Sequence, residues 1–149
     1  METANHQVAS LQTQRTIPYT PDAVYAAFSD PDRLARWWGP DDFTNTFEIF
    51  EFRTGGNWKY LMHGPDGHDY PNKCVFRDLV AGERLVIEHV SALRFTLPVS
   101  LLPAGNRTRV LWVQEFEDPQ VAEAVRHIAG PANQQNLVRL EMHLRAELS

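Results

Sequence analysis

Four residues within seven positions, His63, Asp66, His68 and Asp69, form the densest set of metal-ligating types in the chain. Imidazole and carboxylate together suit zinc or a similar ion. They surround Pro65-Asp66-Gly67, however, which is a turn tripeptide, and neither cysteines nor an HExxH helix accompany them. The set therefore reads as a polar hairpin loop, with no metal and no cofactor expected. Two histidines have acidic residues with which they could share acid–base work: His89 with Glu88, and His63 with Glu51. His89 alternates with Leu85 and Ile87, which reads as a hydrogen-bonded core or cavity-wall side chain. Glu51 reads as a structural partner of Arg53 or another basic side chain. Cys74, the single cysteine, has no base or orienting group assignable from spacing and reads as packing. Gly-x-Ser-x-Gly and a phosphate-binding glycine loop are both missing. No catalytic residue is assigned.

Aromatic residues are the more telling feature. The chain holds four Trp, eight Phe and four Tyr. Trp38, Trp58, Tyr60, Phe76, Phe95 and Trp112 fall on alternating strand faces or at helix ends. They form either plain core or the wall of a pocket whose polar handles are Tyr60, His89 and Gln114. Leu137, Leu140 and Leu144 would complete that wall from the last helix.

At 149 residues the chain reads as one domain, 1–149, able to bury a real core. A net charge of −5 without a basic run argues against nucleic acid as a partner. One cysteine allows no internal disulfide, and no apolar run approaches the ~20 residues needed to span a bilayer. The first twenty residues lack a basic start and an apolar core, so no signal peptide is read and a cytoplasmic location is expected.

The elements that must position these residues follow from punctuation and period. Residues 1–6 read as a loose end and 7–17 as one strand. Thr20-Pro21-Asp22 and Asp30-Pro31-Asp32 are two helix starts in tandem, the second helix ending at Gly39-Pro40. Six strands follow, over 43–53, 57–63, 70–80, 85–90, 94–102 and 108–116. Short turns between them imply an antiparallel meander. Pro98 predicts an edge or a bulge in its strand. From Pro119 to Leu148 the spacing predicts one long helix whose stripe is Leu137, Leu140, Leu144 and Leu148, widened by Val138 and Met142. A shorter stripe, Val121, Val125 and Ile128, precedes it, with a kink or break expected at Gly130-Pro131. Arg139, Glu141, Arg145 and Glu147 are read on the solvent face. Apolar residues on the outer sheet face (Leu61, Val75, Val113) hint at a homodimer.

The motifs Pro21 with Val24 and Ala27, Asp30-Pro31 with Leu34, and Trp37-Trp38-Gly39-Pro40 carry a family resemblance. So do Phe52-Arg53 with Gly55-Gly56 and Trp58, then Met62, Asp66-Gly67 and Gly82-Glu83-Arg84-Leu85. The chain resembles the AHSA-type proteins, homologues of the activator of the ninety-kilodalton heat-shock-protein ATPase. These lie in the START-like (SRPBCC), birch-pollen-allergen-like superfamily. The resemblance implies an α+β helix-grip fold, with a curved antiparallel sheet of about seven strands wrapped on the C-terminal helix. It also implies a cavity between helix and sheet. The expected function is binding of a small hydrophobic or aromatic molecule there. The alternatives are a cyclase- or hydrolase-like enzyme using the same cavity, or a chaperone partner whose ATPase the protein stimulates by direct contact.

Overall fold

The computed structural model describes residues 9–148. The expected loose end at 1–6, and Gln7 and Val8 of the first strand, lie outside that range. The order of elements is β1 (Ser10–Ile17), α1 (Pro21–Ser29), α2 (Pro31–Trp37), β2 (Thr44–Phe50), β3 (Asn57–His63), β4 (Asp69–Val80), β5 (Arg84–His89), β6 (Phe95–Ala104), β7 (Arg107–Phe116) and α3 (Pro119–Leu148).

Each helix starts by the same chemistry. An oxygen of Thr20, Asp30 or Asp118 accepts a hydrogen bond from a free backbone N–H of the first turn, at 3.3, 2.9 and 2.8 Å. A proline follows each, where its missing N–H costs nothing. The strands form one curved antiparallel sheet in the order β1-β7-β6-β5-β4-β3-β2. β2 to β7 are a meander, and β1 adds to β7 at the far edge. α1 and α2 carry the chain from one edge of the sheet to the other. Register shifts at Phe47/Ile49 and Phe76/Asp78 bend β2 and β4.

Inward residues of the sheet meet α3 in a core dominated by rings. Trp58 stacks on Tyr60 at 4.4 Å and on Phe76 at 5.7 Å, and meets Trp38 edge-on at 4.9 Å. Leu137, Leu140 and Leu144 are fully buried above them. A smaller cluster of Leu11, Phe116 and Ala122, with Val121 and Val125 packed on it, fixes the first half of α3.

Several expectations are corrected. α3 runs unbroken through Pro131. Pro131 and His127 are both exposed, so the carbonyl that loses its partner is free to meet water. Pro98 lies in an interior strand without a register shift; pairing to β5 runs through it, while pairing to β7 skips Leu97 and Pro98. Ile128, Val138, Met142 and Leu148 are exposed, because the helix contacts the sheet along a narrower line than the stripe allows.

Arg139 and Glu141 are not solvent-face residues. The Arg139 guanidinium donates to the carbonyls of Arg36, Trp38, Gly39, Pro40 and Phe43 at 2.6–3.4 Å. Asn136 beside it accepts from the Gly39 N–H and donates to the Trp37 carbonyl. Glu141 pairs with Arg15 of β1 at 2.7 Å and with Arg145. Arg139→Ala should therefore cost about 2–3 kcal/mol, since it orphans several carbonyls at once. Met142→Ala, on the exposed side of the same helix, should stay within about 0.5 kcal/mol. Urea unfolding of the two variants checks this; equal losses would remove Arg139 from its structural role.

Candidate functional site

Between the concave sheet face, the turn after α2 and the middle of α3 lies a cavity of about 300 Å³. Strand alternation aims its wall. Tyr60 and Met62 come from β3, Asn72 from β4, His89 from β5, Phe95 and Leu97 from β6, and Trp112 and Gln114 from β7. Trp38 closes one side, tilted against Trp112 at 5.6 Å. Asn133 and Asn136 reach in from α3. Ala92 and Leu93 form the rim, and Leu93 is 50% exposed, so the cavity meets solvent there.

Of the residues singled out from sequence, Trp38, Tyr60, His89, Phe95, Trp112 and Gln114 meet at this cavity. Trp58, Phe76, Leu137, Leu140 and Leu144 do not line it; they pack in the core behind it. Asn72, Asn133 and Asn136 were missed. A signal for the last two was present: they continue the inward line of Leu137, Leu140 and Leu144 one turn earlier, with amides in place of leucines.

Burial disfavours the charged form of each titratable group in this region. Tyr60 accepts a hydrogen bond from Trp38 Nε1 at 3.1 Å, and burial raises its phenol well above the usual range. Cys74, 3.9 Å from the Tyr60 oxygen, is pushed up to about 12 by burial. His89 stacks on Phe95 with ring centres 4.7 Å apart. Its Nδ1 lies 2.7 Å from the Leu93 carbonyl and its Nε2 lies 2.7 Å from Asn72 Oδ1, and the single N–H of the neutral ring can donate to one of these two oxygens. Burial lowers the imidazole pKa, outweighing hydrogen bonds that raise it.

The acid–base pairs that the sequence left open do not form. Glu88 points to the opposite sheet face from His89, where Arg77 and Arg94 hold it. His63 bonds Asp69 and Thr46, each at 2.7 Å, rather than Glu51. Glu51 instead accepts from the Asn57 N–H at 2.9 Å, with Arg53 at 3.8 Å. The Tyr70 hydroxyl, then the His68 N–H, hold Asp66 at about 2. Among the described residues no group of three or more His, Cys, Asp or Glu is placed to hold a metal ion.

A curved seven-stranded antiparallel sheet gripping a long C-terminal helix defines an α+β helix-grip protein. The chain belongs to the Activator of Hsp90 ATPase homolog 1-like family, whose profile matches residues 18–144. It is accordingly an AHSA-type member of the START-like superfamily. No curated protein matches the chain in sequence. Solved structures share its fold. A protein from Nitrosomonas europaea is 19% identical over 95% of this chain and 97% of that one, with a TM-score of 0.85. One from Arthrobacter aurescens is 26% identical over 94% and 88%, with a TM-score of 0.86. The AHSA1 protein from Silicibacter pomeroyi is 20% identical over 93% and 99%, with a TM-score of 0.75. No helix among the described residues is long and apolar enough to cross a membrane.

Because burial lowers the His89 pKa, the unfolded chain takes up this proton first as pH falls. The stability linked to neutral His89 is complete above about pH 6.5 and is lost as pH drops toward the lowered folded value. His143, also lowered by burial, adds a loss of the same sign. Melting temperatures at about pH 7.5 and about pH 5.5 should therefore fall less for His89→Gln than for the unaltered protein. Equal falls would mean that His89 carries no such linkage.

Proposed function

We propose that the protein binds a small, largely apolar or aromatic molecule in the cavity between the sheet and α3. One observation carries the reading. The cavity wall is aromatic and aliphatic with a few neutral polar groups, and no Asp, Glu, Lys or Arg lines it. A cavity of about 150 Å³ holds one benzene ring, so about 300 Å³ suits a ligand of about two rings. Burying about 250 Å² of ligand contributes about 6 kcal/mol at ~25 cal/mol per Å², before association costs. Burial alone therefore supports modest affinity, and the polar groups select the ligand.

Binding is favoured over a cyclase- or hydrolase-like reaction by the state of the candidate groups. The Tyr60 phenol and Cys74 thiol are raised far from neutrality, and each His89 nitrogen faces a protein oxygen at 2.7 Å, which leaves neither open to a ligand. A role as a chaperone-ATPase stimulator rests on the family's name. The wall comes from one chain, so binding does not require a homodimer. The free, buried thiol fits a reducing compartment, and the reading keeps the protein in the cytoplasm.

Native mass spectrometry of gently purified protein should reveal an adduct of a few hundred daltons, released on denaturing extraction. Met62→Trp, which fills the cavity from a half-buried wall position, should remove the adduct from protein that still unfolds cooperatively. An empty protein that also fails to respond in a broad small-molecule thermal screen would make the aromatic wall plain core.

A further inference from the structure

Most polar side chains of the wall are occupied within the protein, while the Trp112 indole N–H is sealed from solvent without a partner among the described residues. Asn136 uses its carbonyl on the Gly39 N–H at 3.2 Å and its amino group on the Trp37 carbonyl at 3.0 Å. Asn72 gives its amino group to the Tyr70 carbonyl at 2.8 Å and sets its oxygen against His89. Each His89 nitrogen is covered by a protein oxygen, and the Tyr60 hydroxyl is shared between Trp38 and Cys74. The Gln114–Asn133 pair differs. Asn133 Nδ2 donates to Gln114 Oε1 at 3.0 Å, from α3 to β7, and that is the single bond between them. Among the described residues the Gln114 amino group and the Asn133 carbonyl have no partner, and neither is sealed from solvent.

This surplus survives the ambiguity of amide orientation. Turning both amides over reverses the bond and again leaves one N–H donor and one carbonyl acceptor. The pair therefore presents a donor beside an acceptor, and no charged side chain on the wall offers a counter-ion. A carboxylate or an ammonium would leave water uncompensated, whereas a neutral group with an N–H next to a C=O would satisfy both free atoms.

We infer that Gln114 and Asn133 read an amide-type edge, a carboxamide or a lactam, on a neutral aromatic ligand of about two rings. The inference rests on the cavity being a ligand site. A ligand without that edge leaves the pair unmet and is selected against by about ten-fold, the value of one such hydrogen bond in a partly enclosed site.

Calorimetric titration with 2-naphthamide, naphthalene and 2-naphthoate separates the possibilities, because the three share one ring system. 2-Naphthamide should bind about ten-fold more tightly than either of the others. Gln114→Leu and Asn133→Leu should each bring 2-naphthamide down to the level of naphthalene measured on the same variant. Equal binding of 2-naphthamide and naphthalene would overturn the amide reading and leave the cavity as an apolar site. Tightest binding of 2-naphthoate would overturn the neutrality of the ligand. Silence from all three probes would overturn the cavity reading together with the amide edge. The comparison of probes on the unaltered protein decides the matter even where a variant fails to fold.

Discussion

The contact between Arg139 and the backbone of 36–43 sets the geometry of everything near the cavity. α2 is short, and its last carbonyls carry the partial negative charge of a helix C-terminus. One guanidinium, fixed on the long helix, collects five carbonyls from that end and the turn beyond it. A planar fork with five N–H donors is suited to this, and an ammonium is not. The turn can approach so closely because Gly39 holds φ +98, and a Cβ there would lie 2.7 Å from the Met62 methyl. Asp41 and Asp42 nearby favour the charge that burial opposes. The result is that Trp38 is delivered onto the concave side, between Trp58 and Trp112.

Whether a helix-grip core closes or stays hollow is decided along α3. Where the inward line carries Leu137, Leu140 and Leu144, the space beneath is filled and those residues are fully buried. One turn earlier the same line carries Asn133 and Asn136, which are shorter than leucine and prefer polar partners to dense packing. The cavity lies beneath this stretch. The two strand bulges fall in β2 and β4, beside the packed rings of Phe47, Phe50 and Phe76. A hollow beside a dense aromatic core thus follows from a change of residue type along one helix face.

Local chemistry was legible in the sequence and distant chemistry was not. The helix starts at Thr20, Asp30 and Asp118 were readable because cap and N–H lie two or three residues apart. Strand faces were readable because alternation is local, and it brought Tyr60, His89, Trp112 and Gln114 to one cavity. Arg139 and Glu141 were misread for the opposite reason. Their partners lie about a hundred residues away, so periodicity alone sent them to solvent. Pro98 and Pro131 were read as interruptions because proline removes a donor. Neither breaks its element, since for each the missing bond falls where the fold does not need it. The amides at 72 and 133 escaped notice because a lone Asn on a strand or helix looks like solvated surface until its neighbours are known.

Charge in this molecule is sorted by sheet face, and that sorting limits what the cavity can do. On the convex side Arg77, Glu88 and Arg94 form one ion-pair group, and Arg84 meets Asp78 in another. Thr46, His63 and Asp69 even fall in the hydroxyl–imidazole–carboxylate order of a nucleophilic relay. Thr46 and Asp69 are exposed, however, so water competes for every bond in that relay. On the concave side, where water is restricted and such a relay would gain strength, burial opposes each ionisation: Tyr60 and Cys74 are raised and His89 is lowered. A hydroxyl–imidazole–carboxylate arrangement and a site able to exclude water are thus kept on opposite faces of one sheet. That separation favours recognition of a neutral molecule by shape and hydrogen bonds over its chemical conversion.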